Sequence, residues 1–185
     1  KIGLEPGNGD SWTQDVPLMR VTAVNTPDLT FSGGTGEDMV LAYGPDQVVW
    51  SRRQMSESVL ENSEMVFVGY GINAPERGWN DYEGVDVSGK TVVMLVNDPG
   101  FATQDPELFN GAALSAVQGW IQKEHAETLF AKAGLDLAEM YEAAKKPGFE
   151  AVPMNLAASA SIESTTEPVQ AQNVLTIRVE SLDAL

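Results

Sequence analysis

The side chains able to do chemistry are few. The 185 residues include no cysteine and a single histidine, His125. No thiolate nucleophile and no disulfide can therefore form within the chain. A zinc site built on two or more His or Cys cannot form from one copy either. A Ser-His-Asp triad would have to run through His125. The helical pattern around His125 sets it off the apolar stripe, as a surface side chain with no nucleophile signalled beside it. No Gly-x-Ser-x-Gly turn occurs, so Ser51, Ser56, Ser58 and Ser63 read as parts of a polar connector from Ser51 to Glu64.

Carboxylates are the abundant reactive group. Asp81, Glu83 and Asp86 lie close together around Gly84, and alternating carboxylates can ligate Ca²⁺. Their spacing lacks the Asp-x-Asp-x-Asp-Gly pattern and the distal Glu of an EF-hand, so a solvated turn leading into Val85 and Val87 is the favoured reading. The same loop, Ala74 to Gly84, carries Arg77, Trp79 and Tyr82, residue types over-represented at recognition surfaces. These three are the candidate substrate or partner contacts. The competing reading has Trp79 and Tyr82 pinning the loop to the core. Gly69 and Gly71 flank Tyr70 and read as a turn that needs positive φ or close backbone approach. A Gly-x-Gly could also cradle phosphate, but no third Gly and no helix start follows. Gly89 marks a further structural turn.

These groups sit in a chain with 27 Asp plus Glu against 11 Lys plus Arg, a formal net charge of −16. Phosphate binding needs clustered cations, so the balance argues against nucleic acid and against an anionic membrane surface. No apolar run is long enough to span a membrane. At 43 % hydrophobic and 21 % charged, the composition is that of a globular domain with a real core. The chain starts Lys1-Ile2-Gly3-Leu4, without an initiating Met or signal peptide, and reads as a trimmed or mature fragment.

The elements that must position these residues are mostly short strands punctuated by glycine. Gln14–Val24, Leu29–Phe31, Asp38–Ala42, Val48–Trp50 and Glu64–Val68 are strand candidates. Thr91–Val96 reads as a continuous apolar strand buried on both faces, and Ala113–Gln118 as a shorter one. The character changes at Gly119. Ile121, Leu129, Phe130 and Ala133 fall on one helical face, with Gly134 as the residue past the helix end. Asp136 caps a second helix, with Glu139 three residues on; Leu137, Met140, Tyr141 and Ala144 form its stripe, and Pro147-Gly148 ends it. Two strand-like segments follow, Val152–Ile162 and Gln172–Val179.

The stretch from Met65 to Gly100 contains Val-Gly-Tyr-Gly-Ile at 68–72, Asp-Tyr-Glu-Gly-Val-Asp-Val-Ser-Gly-Lys at 81–90, and then the apolar strand. It resembles the protease-associated domain of zinc aminopeptidases related to glutamate carboxypeptidase and the transferrin receptor. Gly3-Leu4-Glu5-Pro6-Gly7, Leu108-Phe109-Asn110-Gly111, the segment from Phe130 to Leu137, and Gln172-Asn173-Val174 are also similar to that family. Two departures stand out. Asn110-Gly111 runs almost directly into Ala113, where similar enzymes carry a further βα piece. A naturally short member, a cut chain and a gap closed up at Gly111–Ala112 are all open. The second departure is that the family's catalytic domain, with its two zinc ions and its Glu base, would follow Val174, and none of its motifs is present; His125-Ala126-Glu127 is not a His-x-Asp pair.

The resemblance implies an α+β, β-rich fold, an open sandwich or barrel-like sheet with a helical hairpin on one side. It implies a leading loop at 1–12 left from a peptidase domain, a protease-associated-like domain at 13–171, and at 172–185 the start of a return strand. It implies a non-catalytic accessory domain of a secreted or periplasmic zinc aminopeptidase, shaping substrate access or partner contacts. Its partners would be its own peptidase domain and a peptide or protein substrate. No catalytic or metal-binding residue is expected in this chain, and zinc is expected only in the parent catalytic domain. The alternative is a stand-alone peptide- or protein-binding module. A third reading, a self-sufficient hydrolase using a carboxylate pair, would require turnover by this chain alone.

Overall fold

A computed structural model describes residues 4–96 and 115–178. The Leu108–Gly111 motif, the Gly111–Ala112 link, residues 97–100 and 1–3, and everything after Arg178 lie outside the described residues. The elements run β1 (Leu4–Pro6), β2 (Thr13–Ala23), β3 (Leu29–Gly33), β4 (Met39–Leu41), β5 (Gln47–Trp50), β6 (Glu57–Phe67), β7 (Asn73–Ala74), a 3-10 turn (Pro75–Arg77), β8 (Trp79–Asn80) and β9 (Thr91–Val93). Then come β10 (Gln118–Ile121), α1 (Lys123–Lys132), α2 (Leu137–Ala144), β11 (Val152–Val174) and β12 (Thr176–Arg178). The fold is α+β and rich in strands, with a helical hairpin and, among the described residues, no closed barrel.

The main sheet has the order β4-β3-β11-β6-β9, with β2 also paired to β11. It is mixed: β9 runs parallel to β6, and the other pairs are antiparallel. β11 is its spine. Met154, Leu156, Ala158, Ala160 and Ile162 alternate along it and are buried, as the two-residue period of a strand requires. They share one core with Phe67, Leu129 and Phe130. The Phe67 ring meets Phe130 edge-on at 5.0 Å and Phe149 at 5.6 Å, a favoured aromatic geometry.

α2 starts as its sequence directs, with the Asp136 carboxylate accepting from the Glu139 amide at 2.9 Å. Gly134, at φ 76°, follows the C-terminal end of α1. Ala144 of α2 is buried, whereas Tyr141 is exposed, with the Lys145 ammonium 4.4 Å from its ring centre.

Several expectations need correction. Thr91–Val96 is not a strand buried on both faces. Only Thr91–Val93 is strand, its side chains are half-buried, and Met94 and Val96 are exposed. Among the described residues β9 pairs with β6 alone, and an edge strand lacks the second neighbour that would cover it. Of the strand expected at Ala113–Gln118, 113 and 114 lie outside the described residues and 115–117 are not strand; the strand runs over Gln118–Ile121, so Gly119 and Ile121 belong to it and not to the first helix. Gly119 is there because β10 lies close on β5: a Cβ would stand 2.3 Å from the Val48 carbonyl oxygen. The polar connector from Ser51 to Glu64 is loop only to Ser56. From Glu57 it is β6, an alternating half-exposed strand with Ser58 and Ser63 turned inward.

Val152–Ile162 and the start of Gln172–Val179 join through a polar stretch into one strand, β11, which ends at Val174; Thr176–Arg178 form β12, and Val179 lies outside the described residues. Beyond Ile162 β11 leaves the core. From Ser164 to Val174 it pairs only with β2, from Ala23 back to Thr13. The result is a two-stranded ribbon whose side chains are mostly exposed, Leu18 and Met19 among them. Past its far end β1 pairs antiparallel with β12, Leu4 opposite Arg178. The first and last described strands thus run side by side.

Candidate functional site

The loop singled out by its aromatics leaves β6 through Val68 and returns at Tyr82. Its first bend rests on two glycines. Gly69 has φ 59° and Gly71 has φ 70°, a region that costs other residues a Cβ clash. Space is short as well: a Cβ on Gly69 would lie 3.1 Å from the Phe149 ring, and one on Gly71 would lie 2.9 Å from the Tyr82 hydroxyl oxygen. The Gly71 amide closes the bend on the Val68 carbonyl at 2.8 Å.

The rest of the loop is a miniature hairpin. β7 and β8 pair as Asn73 with Asn80 and Ala74 with Trp79. The 3-10 turn between them closes on Gly78 at φ 65°, whose amide donates to the Pro75 carbonyl. Asp81 holds the hairpin to the bend. It is fully buried. One carboxylate oxygen accepts the Ile72 amide at 2.9 Å, and the other accepts the Trp79 indole N–H at 2.8 Å. Its own amide donates to the Ile72 carbonyl at 2.8 Å. Burial pushes its carboxyl above the ordinary aspartate value, against the opposing pull of the donors from Ile72, Trp79, Tyr70 and Gly71. Burial, and then the Asp81 charge, raise the Tyr82 phenol in turn.

The candidate contact residues differ in exposure. Arg77 is exposed at the turn. Trp79 packs against the core and spends its N–H on Asp81. Tyr82 is half-buried over Gly71. This geometry is that of aromatics tying down a loop. The acidic trio is split in the same way. Asp81 points inward, Glu83 is exposed, and the Asp86 carboxylate accepts the Ser88 amide at 2.9 Å. Hydrogen bonds from Ser88 hold Asp86 below the usual aspartate range. Gly89, at φ 71° with open space around it, sits in the turn that follows.

His125 is half-buried, with Nε2 3.1 Å from an Asp46 carboxylate oxygen. The other oxygen of Asp46 accepts the Ala42 amide at 3.0 Å. The Gln122 amide and side chain reach the Asp46 and Pro45 carbonyls. His125 thus ties the start of α1 to the turn between β4 and β5. Among the described residues no three His, Cys, Asp or Glu side chains converge as a metal-holding group.

Two features escaped the sequence reading. Asp81 was legible only as one of three clustered carboxylates in a solvated turn, and nothing local marks it as buried. Lys132 is a buried cation in the last turn of α1. Its ammonium donates to the Thr35 carbonyl at 3.1 Å and the Glu37 carbonyl at 2.7 Å, clamping the Gly-rich loop after β3 to the helix. In the sequence it is indistinguishable from a surface lysine.

Fold and loop together define a β-rich α+β domain in which Asp81, Trp79 and His125 make structural hydrogen bonds. Comparison with protein-family models, with curated proteins and with solved structures finds no match for this chain.

Proposed function

We propose that the chain is a non-catalytic accessory domain of a zinc-dependent aminopeptidase, secreted or periplasmic, which shapes access to the active site or contacts partner chains. The observation that carries this reading is the ribbon. Strands β2 and β11, continued by β1 and β12, bring the chain in and out side by side, the arrangement needed to insert one domain into another with little disturbance. Leu18 lies opposite Val169, and Val16 opposite Ala171. These pairs put an apolar strip on one face of a ribbon that has no described layer over it, and an isolated two-stranded ribbon is marginal in water. A docked peptidase domain would cover it.

The committed state of Asp81 and His125 supports a structural role for this chain. Zinc, and the water it activates, would belong to the peptidase domain. No helix among the described residues is long and apolar enough to cross a membrane.

The test is the complete coding sequence together with the activity of its product. A frame that continues past Leu185 into His-x-Asp and Glu-Glu motifs, and a product that cleaves peptides with zinc, are expected. A native stop at Leu185 would favour a stand-alone binding module and overturn the reading.

A further inference from the structure

The ribbon of β2 and β11 carries a proline on each of its edges. The Val24 amide donates to the Glu163 carbonyl at one end of the ladder, and the Leu175 amide donates to the Trp12 carbonyl at the other, both at 2.9 Å. Antiparallel strands alternate between hydrogen-bonded and non-bonded pairs. In this register the even-numbered residues of β2 and the odd-numbered residues of β11 therefore turn their main-chain groups toward each other. The others turn theirs outward, as Ser164 does in donating its amide to the Ser56 carbonyl at 2.8 Å. Pro17 of β2 and Pro168 of β11 both stand at outward positions. There the missing N–H takes nothing from the ribbon but interrupts any strand added to it.

The alternation of a strand also sorts the side chains. Val16, Leu18, Val169 and Ala171 share one face, and Pro17, Met19, Val21 and Pro168 share the other. Leu18 is 51 % exposed on the first face and Met19 is 41 % exposed on the second. Among the described residues the hydrophobic core includes none of these side chains. The charged residues of the ribbon are Asp15, Arg20 and Glu167, and each is answered within it. Arg20 bonds Glu167, and Asp15 accepts the Gln172 side-chain N–H at 2.7 Å. Eleven residues of β2 at about 3.4 Å each make the ribbon about 37 Å long, and two strands make it about 10 Å broad. One face thus offers roughly 370 Å², the scale of a weak contact, while both together offer roughly 740 Å², close to the ~800 Å² per partner of a stable interface.

We propose that the ribbon is a blade clasped on both faces, with its edges left open, by an apolar and uncharged groove of a second folded domain. The identity of that domain rests on the accessory-domain reading, under which it is the peptidase. Area favours two faces over one. The prolines favour the faces over strand addition. Arg20 with Glu167, and Asp15 with Gln172, satisfy each other, so the groove need supply no charge, and no charge is left buried without a partner. Two copies of a chain at −16 repel each other, which disfavours a second copy as the occupant. The same acidity disfavours an anionic lipid surface.

The test is maleimide labelling of single cysteines introduced into a chain that has none. Leu18→Cys probes one face and Met19→Cys the other. Each labelling rate is read by mass spectrometry, in this chain alone and in the product of its complete reading frame. In the complete product both sites should label about tenfold or more slowly. Hydrogen exchange on the unsubstituted product reads the edges: the outward amides of Met19, Val21 and Gln170 should exchange as fast as in the chain alone. Protection at neither site, or at one only, would overturn the clasp, as would slowed outward amides, the mark of an added strand. So would protection in the chain alone that grows with its concentration or with phosphatidylcholine vesicles, the mark of a second copy or of a lipid surface. Zinc-dependent peptide turnover is measured on the same product. Turnover with a freely labelled ribbon overturns the clasp and leaves the peptidase reading intact; no turnover with both faces protected does the reverse.

Discussion

Replacing Asp81 by alanine should be among the most damaging single changes to this domain. The carboxylate is fully buried and accepts the Ile72 amide and the Trp79 indole N–H. Each buried donor left without a partner costs about 1–3 kcal/mol, so two of them amount to about 2–6 kcal/mol. Part of this is offset, because the variant no longer buries a carboxylate that burial alone disfavours. The net loss should be about 2–4 kcal/mol, a large share of the ~5–15 kcal/mol that holds a typical domain. Urea unfolding followed by tryptophan fluorescence reads this directly. With a slope of about 2 kcal/mol per molar, the midpoint should fall by about 1–2 M without a change in slope. Asp81→Asn keeps one acceptor and turns a donor toward a donor, so it should lose about 1–3 kcal/mol. A loss below about 0.5 kcal/mol in Asp81→Ala, the level of an ordinary surface change, would refute the assignment of Asp81 as the anchor of the loop.

The same residue sets a sign for pH dependence. Burial raises its folded pKa above the ordinary aspartate value, so the folded state binds the proton more tightly than the unfolded chain does. The stability from this linkage is fully present below the unfolded pKa and is lost as pH rises through the raised folded value. The stability difference, native chain minus Asp81→Asn, should therefore shrink as pH rises through that window. A difference that grows would contradict the direction. Asp86 has the opposite sign, its pKa being lowered by Ser88; its contribution is present above the unfolded pKa and fades as pH falls through the folded value.

Two glycine variants separate close approach from backbone conformation. Gly119→Ala should lose about 1–3 kcal/mol by overpacking, because a Cβ would stand 2.3 Å from the Val48 carbonyl oxygen. Gly78→Ala meets nothing within 4 Å but must hold φ 65°, and should lose about 1–2 kcal/mol; thermal melts of the pair check both, and an undisturbed Gly119→Ala would contradict the β5–β10 packing. Net charge supplies another expectation. At −16 the folded chain repels itself, so the melting temperature should rise between about 10 mM and about 150 mM NaCl as the Debye length shortens. A flat or falling melting temperature would contradict it.

The parts legible in the sequence were those set by local chemistry. The cap at Asp136, the helix end at Gly134, and the turns at Gly69 and Gly71 are fixed by residue types whose conformational demands act within a few positions. Long-range pairing hid the rest. The stretch from Glu163 to Ala171 is polar and contains Pro168, so it does not read as strand. It becomes one because β2 lies alongside it over the whole length from Ser164 to Val174. The run from Thr91 to Val96 looks like an interior strand because apolar content does not reveal whether a second neighbour exists. Asp81 and Lys132 look like solvent-facing charges because burial of a charge depends on partners far away or on the main chain, such as Glu37 for Lys132. The bulge at Asn155 arises where three strands meet and has no local signature beyond an Asn able to take positive φ.

The most direct test of the central claim is a peptide-panel turnover assay, with added zinc and with chelator, run on this chain and on the product of its complete reading frame. The expected result is no turnover by the chain under either condition, and zinc-dependent release of N-terminal residues by the complete product. Turnover by the chain itself, or a folded, zinc-loaded complete product that cleaves nothing in the panel, would contradict the account.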